Sequence, residues 1–321
     1  MHQDILTDGR EEKPALFTVP KERKTIWAVG GGKGGTGKSF ISSSLGILLA
    51  SEQGDVTMID ADLGGPNLHT LLAVREADRD IGDFVSGKIP SLRETAIPTP
   101  IAGLKLVKGS ENFLFMANLN HLKKLKLIRQ IKSLETRTII IDVGTGSSFN
   151  TLDFFLLANP GILVVTPEPT SIENAYHFLK SCIVRVLKLY MEFYKMQDLV
   201  RHIADHMENN SNSIRSFINA IVSHDAGSAH LLYKALKVLR PALVMNKARD
   251  ERDVLLGRSI ADVVRKYLVV ELDYVGAVPQ DERVHDCVKY FKPYLREYPD
   301  SPTSRSIREI AGRLKSRSSL Y

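Results

Sequence analysis

Cysteine is scarce in this chain: two in 321 residues, Cys182 and Cys287, far apart and without a CxxC neighbour. That excludes a disulfide framework and a cysteine metal cluster, and both residues read as buried thiols. No uninterrupted apolar run approaches the ~18 residues that a membrane-crossing helix needs. The opening MHQDILTDGREEK lacks the apolar core of a signal peptide, so the expected location is the cytoplasm. There is no internal repeat and no low-complexity tract. A formal charge of +6 and a pI near 9.1 permit weak attraction to nucleic acid or anionic lipid but select neither.

What is present is a rhythm. Residues 1–24 mix charges with Pro14 and Pro20 and read as a flexible leader. Apolar runs then alternate with helical stretches: TIWAVGG, DVTMID, RTIIID, GILVVTP, PALVMN and LDYVGAVP are the strands. Unbroken apolar strands separated by helices indicate an α/β fold whose mostly parallel sheet, of seven or eight strands, carries helices on both faces. Residues 25–321 then form a single domain.

One interval is too long for a simple crossover. About 75 residues separate the strand at 161–166 from that at 241–246, so a helical insertion is expected at about 190–228. From Ser171 a helix could run to about Met207, with Leu179, Ile183, Val186, Tyr190, Phe193, Leu199 and Ile203 as an apolar stripe that reads as added core. ENNSNS stops it. Asn212 or Ser213 would cap IRSFINAIV, and Ser228 would cap AHLLYKALKVL. His202 and His206 lie one turn apart, but without the glutamate of HExxH they do not suggest zinc.

GGGKGGTGKSF, residues 30–40, fits G-x-x-x-x-G-K-[ST] from Gly32 to Ser39 between a strand and a helix. Glycines let successive backbone amides and the helix N-terminus wrap an anion, Lys38 reaches the β and γ phosphates, and the Ser39 hydroxyl suits Mg2+. Asp60 and Asp62 end the second strand, and Asp142 ends RTIIID with Gly146 beyond it. Parallel strands bring these ends to one crevice, where Ser39, Asp62 and Asp142 are the candidate Mg2+ residues and Asp60 is either a site acid or a helix cap.

The stretches GKGGTGKS, DADLGGPN, IIIDVGTG, VTPEPTSIENAY, LVMNK and VGAVPQDERV, in this order, resemble the MinD/ParA family of deviant P-loop ATPases. VTPEPTSIENAY and PDSPTSRSIREIAGRL are most similar to its flagellar-number regulators, FlhG or FleN. The resemblance implies ATP and Mg2+ as ligands, bound by Gly32, Lys33, Gly34, Gly35, Thr36, Gly37, Lys38, Ser39 and Phe40. It implies that Lys33 crosses a dimer interface to the partner's phosphates, so that ATP drives formation of a homodimer. Asp62 would position the attacking water, and Asp142 with Gly146 would sense the γ-phosphate. Asn246 and Lys247, with Pro279 and Asp281 less directly, would flank the base.

The resemblance thus predicts a slow, partner-stimulated regulatory ATPase that sets the position or number of a cellular structure. Two other classes compete: an iron–sulfur carrier or reductase, which the lack of paired cysteines opposes, and a P-loop tyrosine kinase, for which Tyr321 alone is no cluster. The DQAxxLR motif with which FlhG proteins stimulate the GTPase FlhF is missing from the start of this chain. In the closing helix only Ile307, Ile310 and Leu314 form an apolar stripe, with Arg308, Arg313, Lys315 and Arg317 as possible lipid contacts. Lys234, Lys237, Arg240, Arg249 and Arg252 are the candidate nonspecific DNA surface.

Overall fold

A computed structural model describes residues 14–18, 24–62, 65–110, 121–196, 214 and 226–318. Each expected apolar run is a strand: β1 (Thr25–Gly31), β2 (Val56–Ala61), then β5 (Thr138–Thr145), β6 (Gly161–Val165), β7 (Ala242–Ala248) and β8 (Asp273–Pro279). Two short strands, β3 (Ala96–Pro98) and β4 (Leu104–Val107), complete an eight-stranded sheet in the order β3-β4-β2-β5-β1-β6-β7-β8. All neighbours pair in parallel except β3 with β4. The sequence reading had not singled out this pair. β3 has three residues and includes Pro98, which has no amide to donate and is tolerated because the strand is at an edge.

Helices cover both faces, each over its own apolar core. On one side α1 (Lys38–Gln53) and the C-terminal helix, here α8 (Pro302–Ser318), bury Leu45, Leu49, Ile307 and Leu314 against Trp27, Ile140 and Val244. On the other, α2 (His121–Ser133), α3 (Phe149–Leu156), α4 (Pro169–Phe193), α5 (Ala226–Leu236) and α6 (Glu251–Leu268) pack Ile131, Phe154, Phe178, Leu232 and Val264 against Ile141, Leu163 and Met245. The short helix α7 (Arg283–Lys289) follows β8. Truncating a buried aromatic such as Phe178 to alanine is worth about 3–5 kcal/mol in a core of this kind. Parallel strands with helices between them send every strand's C-terminal end, and every following helix's N-terminal end, to one edge of the sheet.

Four expectations need correction. The leader is not wholly loose: residues 14–18 dock on the domain through a 3-10 turn, with Leu16 buried and the Phe17 ring 5.5 Å from that of Tyr190. Lys132 donates to the carbonyls of Leu16 and Thr18 at 3.0 and 2.8 Å, and burial pushes its ammonium down to about 8. Residues 1–13 and 19–23 of the leader lie outside the described residues.

The long helix ends at Phe193, well short of Met207. Lys195 adopts a left-handed φ of 56°, and the Met196 amide bonds back to the Met191 carbonyl at 2.9 Å, the closing pattern of a Schellman turn. Leu179, Ile183, Val186 and Tyr190 are buried, as an added-core stripe requires, but Phe193 at the helix end is exposed; Leu199, Ile203, Met207, His202 and His206 lie outside the described residues. Of the expected second helix only Ile214 is described, and it is buried. α5 contains Ser228 inside its first turn, so Ser228 is not its cap.

The closing helix uses its apolar stripe for the core: Ile307, Ile310 and Leu314 are buried, so that stripe is not available to lie on a membrane. Lys315 pairs with Glu52, Arg317 with Asp273, and Arg308 and Arg313 bond to the Pro299 and Val275 carbonyls. No described helix is long and apolar enough to cross a membrane.

Candidate nucleotide-binding site

The loop between β1 and α1 lies at the edge where the strands end. α1 begins at Lys38 behind Gly37, and no side chain caps its first amides, which leaves them and the positive end of the helix dipole for an anion. The loop is pressed from the side by α4: a Cβ on Gly32 would sit 2.1 Å from the Asn174 carbonyl oxygen, so only glycine fits. Lys38 is buried, and its ammonium bonds to the Lys33 carbonyl at 3.3 Å. Burial lowers its pKa, while the charges of Asp142 and Asp62 oppose that shift. Thr36 is buried and packs its hydroxyl toward the same carbonyl.

Phe40 does not belong to the binding surface. Its ring is buried edge-on against Tyr294, with 5.5 Å between centroids, because the third residue of the helix points into the core.

Three acids flank the loop. Asp60 and Asp142 are register partners on adjacent strands β2 and β5, each only 1% exposed. Asp142 is pushed up to about 8, first by burial and then by the charge of Asp60, against hydrogen bonds from Ser39 and Ser42 and the charge of Lys38. Its Oδ1 has no hydrogen-bond partner although it is buried. Such an orphaned oxygen beside a serine hydroxyl, in a site of hard oxygen donors, fits a Mg2+ or its bound water.

Asp60 serves as a cap. It accepts from the amides of Asp62 and Leu68 at 3.2 and 3.0 Å, the latter at the start of a short helix, and burial pushes it up to about 7. Asp62 stands over the end of β5, where a Cβ on Gly144 would lie 2.8 Å from its Oδ1. Gly146 takes a left-handed φ of 85° with open space around it.

Lys33 faces a different set of partners from Lys38. Its ammonium bonds to Glu168 at 2.9 Å and Thr170 at 2.8 Å, both at the N-terminal end of α4. The hydrogen bond from Lys33, with its charge, holds the Glu168 carboxyl below its ordinary range. Sequence reasoning assigned no role to Glu168, Thr170 or Asn174, although VTPEPTSIENAY already set that stretch apart.

On the base side the structure brings some predicted residues to the loop and holds others away. Asn246 is buried and donates from Nδ2 to the Thr36 carbonyl at 2.8 Å; Lys247 donates to the Gly35 carbonyl at 2.9 Å. Both therefore brace the loop's backbone, a role the sequence reading missed. Pro279 ends β8 and its carbonyl accepts from Thr303. The Asp281 carboxylate is already taken, with Arg283 at 2.5 Å and the Tyr294 hydroxyl at 2.5 Å, so it is a clasp within its own turn. The basic residues proposed for DNA are spread over α5, the loop before β7 and the start of α6, and Arg249 bonds to Gln280.

Residues 27–294 match the family described as the CobQ/CobB/MinD/ParA nucleotide binding domain. The antiactivator FleN of Pseudomonas aeruginosa is 25% identical over 293 residues, covering 91% of this chain and 86% of that protein. An iron–sulfur cluster carrier protein of Helicobacter pylori is 27% identical over 179 residues, 54% of this chain and 48% of the carrier. The septum site-determining protein MinD of Pyrococcus horikoshii, solved with Mg-ADP, superposes with a TM-score of 0.63 at 18% identity over 92% of this chain and 98% of that one. The chain belongs to the CobQ/CobB/MinD/ParA family of nucleotide-binding proteins, with their P-loop fold.

Proposed function

We propose that the protein is a regulatory ATPase that forms a homodimer with ATP and Mg2+, engages a target in that form, and is released by slow, partner-stimulated hydrolysis. The observation that carries this reading is the second lysine. Lys38 serves the chain's own loop, and Lys33 is held beside it by Glu168 and Thr170, half exposed and in reach of a molecule approaching that edge. A cation delivered by a second copy offsets charge on the transferring phosphoryl group only when two loaded chains meet.

The chain's residues divide the work. Backbone amides of residues 32–39 bind the phosphates, and Asn246 and Lys247 keep the loop in shape. Asn246 and Pro279 line the base side. Asp62 orients water for in-line attack on the γ-phosphorus, giving ADP and phosphate, and Gly146 leaves its amide free near that group. Ser39 and, through water, Asp142 would hold Mg2+, which supplies charge neutralisation between the β- and γ-phosphate oxygens.

The FleN and MinD names favour control of the position or number of a cellular structure, such as a flagellum, division site or chromosome, with the protein at the membrane or nucleoid when engaged. The cluster-carrier reading gains nothing from the chemistry: Cys182 and Cys287, the only cysteines, are buried in α4 and α7. Lys33→Ala is expected to keep nucleotide affinity and lose both ATP-dependent dimerisation and hydrolysis, by light scattering and phosphate release. A variant that dimerises normally with ATP would refute the reading.

A further inference from the structure

A second buried ionic group lies away from the phosphate loop and has no part in the steps above. Asp153 on α3 is held by Arg185 of α4 at 2.6 and 2.9 Å and by Lys124 of α2 at 2.5 Å. The side chains of Lys124, Asp153 and Arg185 are 8%, 3% and 10% exposed. Arg185 also lies over the ring of Phe149, 5.0 Å from its centroid, so it grips α3 at its first residue and again one turn later.

The charges do not balance. Lys124 alone would neutralise Asp153, and among the described residues no other carboxylate pairs with either cation. Arg185 therefore leaves a nearly buried surplus positive charge, which carries a desolvation cost that charge neutralisation does not explain. What it adds is geometry: a planar fork on a carboxylate fixes the relative placement of two helices far more tightly than a lysine does.

The two helices it joins are the ones that bear on the site. Only Ser147 and Ser148 separate Gly146 from α3, and α4 carries Glu168, Thr170 and Asn174, which hold Lys33 and press on Gly32. We propose that Arg185 is a positioning residue: it makes α3 and α4 move as one body, so that a shift of the backbone at Gly146 is passed to the end of α4 that holds Lys33. This rests on the ATP-switched dimer proposed above.

The test uses Arg185→Met, which leaves the balanced Lys124–Asp153 pair in place, with a nonhydrolysable ATP analogue and Mg2+ in sedimentation equilibrium. ADP affinity is expected to stay within about twofold, while the dimer dissociation constant rises about tenfold or more, the size of a typical coupling between sites. Adding Glu168→Gln, which loosens Lys33 without any movement of α4, is expected to restore dimerisation to within about threefold of wild type. A purely structural role would not be rescued this way. Unchanged dimerisation in Arg185→Met, or no rescue in the double variant, overturns the inference while leaving the ATPase reading intact. A wild-type chain that stays monomeric with the analogue overturns both.

Discussion

Asp142 and Asp153 are both buried acids, yet their surroundings are opposites. Asp142 shares its strand register with a second acid, keeps one oxygen unbonded, and is pushed up to about 8. Asp153 has both oxygens bonded and two cations to one charge. A fold that wanted only stability would put a cation on the first and remove one from the second. The difference shows where charge is left unanswered for a ligand and where it is over-answered to lock helices together.

The largest effect is expected at the lysine between these extremes. Lys38 is the buried cation near Asp142, and its ammonium bonds to a loop carbonyl rather than to that acid. Lys38→Ala should therefore reduce Mg-ATP affinity by at least about a hundredfold, roughly 2.7 kcal/mol, in calorimetric titration. Near-normal binding would mean that the loop is not the site.

The contrast is sharpest in a pair of isosteric changes. Asp153→Asn strands two cations, and urea unfolding is expected to show a loss of about 3–5 kcal/mol. Asp142→Asn replaces a buried, partly unsatisfied carboxyl that burial already pushes up to about 8, so the nucleotide-free protein should be about as stable as wild type, while its Mg2+-dependent nucleotide affinity falls. Equal losses of stability in both would erase the distinction. A third change acts between them: Asp62→Ala should leave binding intact and accumulate the ATP dimer, because the water-orienting carboxylate is gone. Light scattering that finds only monomer with ATP would count against that role.

The legible and illegible parts of the sequence divide along the same physical line. Glycine spacing, strand-end acids and apolar runs are local signals, and GGGKGGTGKSF, the acids at the ends of β2 and β5 and the six principal strands form as their patterns require. Contacts between distant segments leave no local pattern. Phe40 reads as part of the loop but faces the core, and Asp281 reads as a base contact until Tyr294 and Arg283 are seen to occupy it. Leu16 looks like leader because five residues carry no period, yet the apolar core and Lys132 hold them. The end of α4 was misplaced because the apolar period continues in sequence past Lys195, where the backbone turns. Nothing local sets Arg185 apart; its position opposite Asp153 does.

Asp281 offers the mildest test, since it is an acid with one cationic partner that is itself half exposed, and so falls between the other two. The Arg283 hydrogen bond, aided by the Tyr294 hydroxyl, holds its carboxyl down at about 2, against an ordinary value of 3.8. A lowered folded-state value contributes stability above the unfolded-state value and loses it as pH falls through the folded one. The clasp should therefore be fully formed above pH 3.8 and fade toward about pH 2. Comparing thermal midpoints of wild type and Asp281→Asn, wild type is expected to be the more stable at pH 5, with the gap closing as pH approaches about 2. A gap that stays constant across that range would show that the carboxylate's charge contributes nothing there, and that the turn is held by the Thr303 bond to Pro279 and by packing.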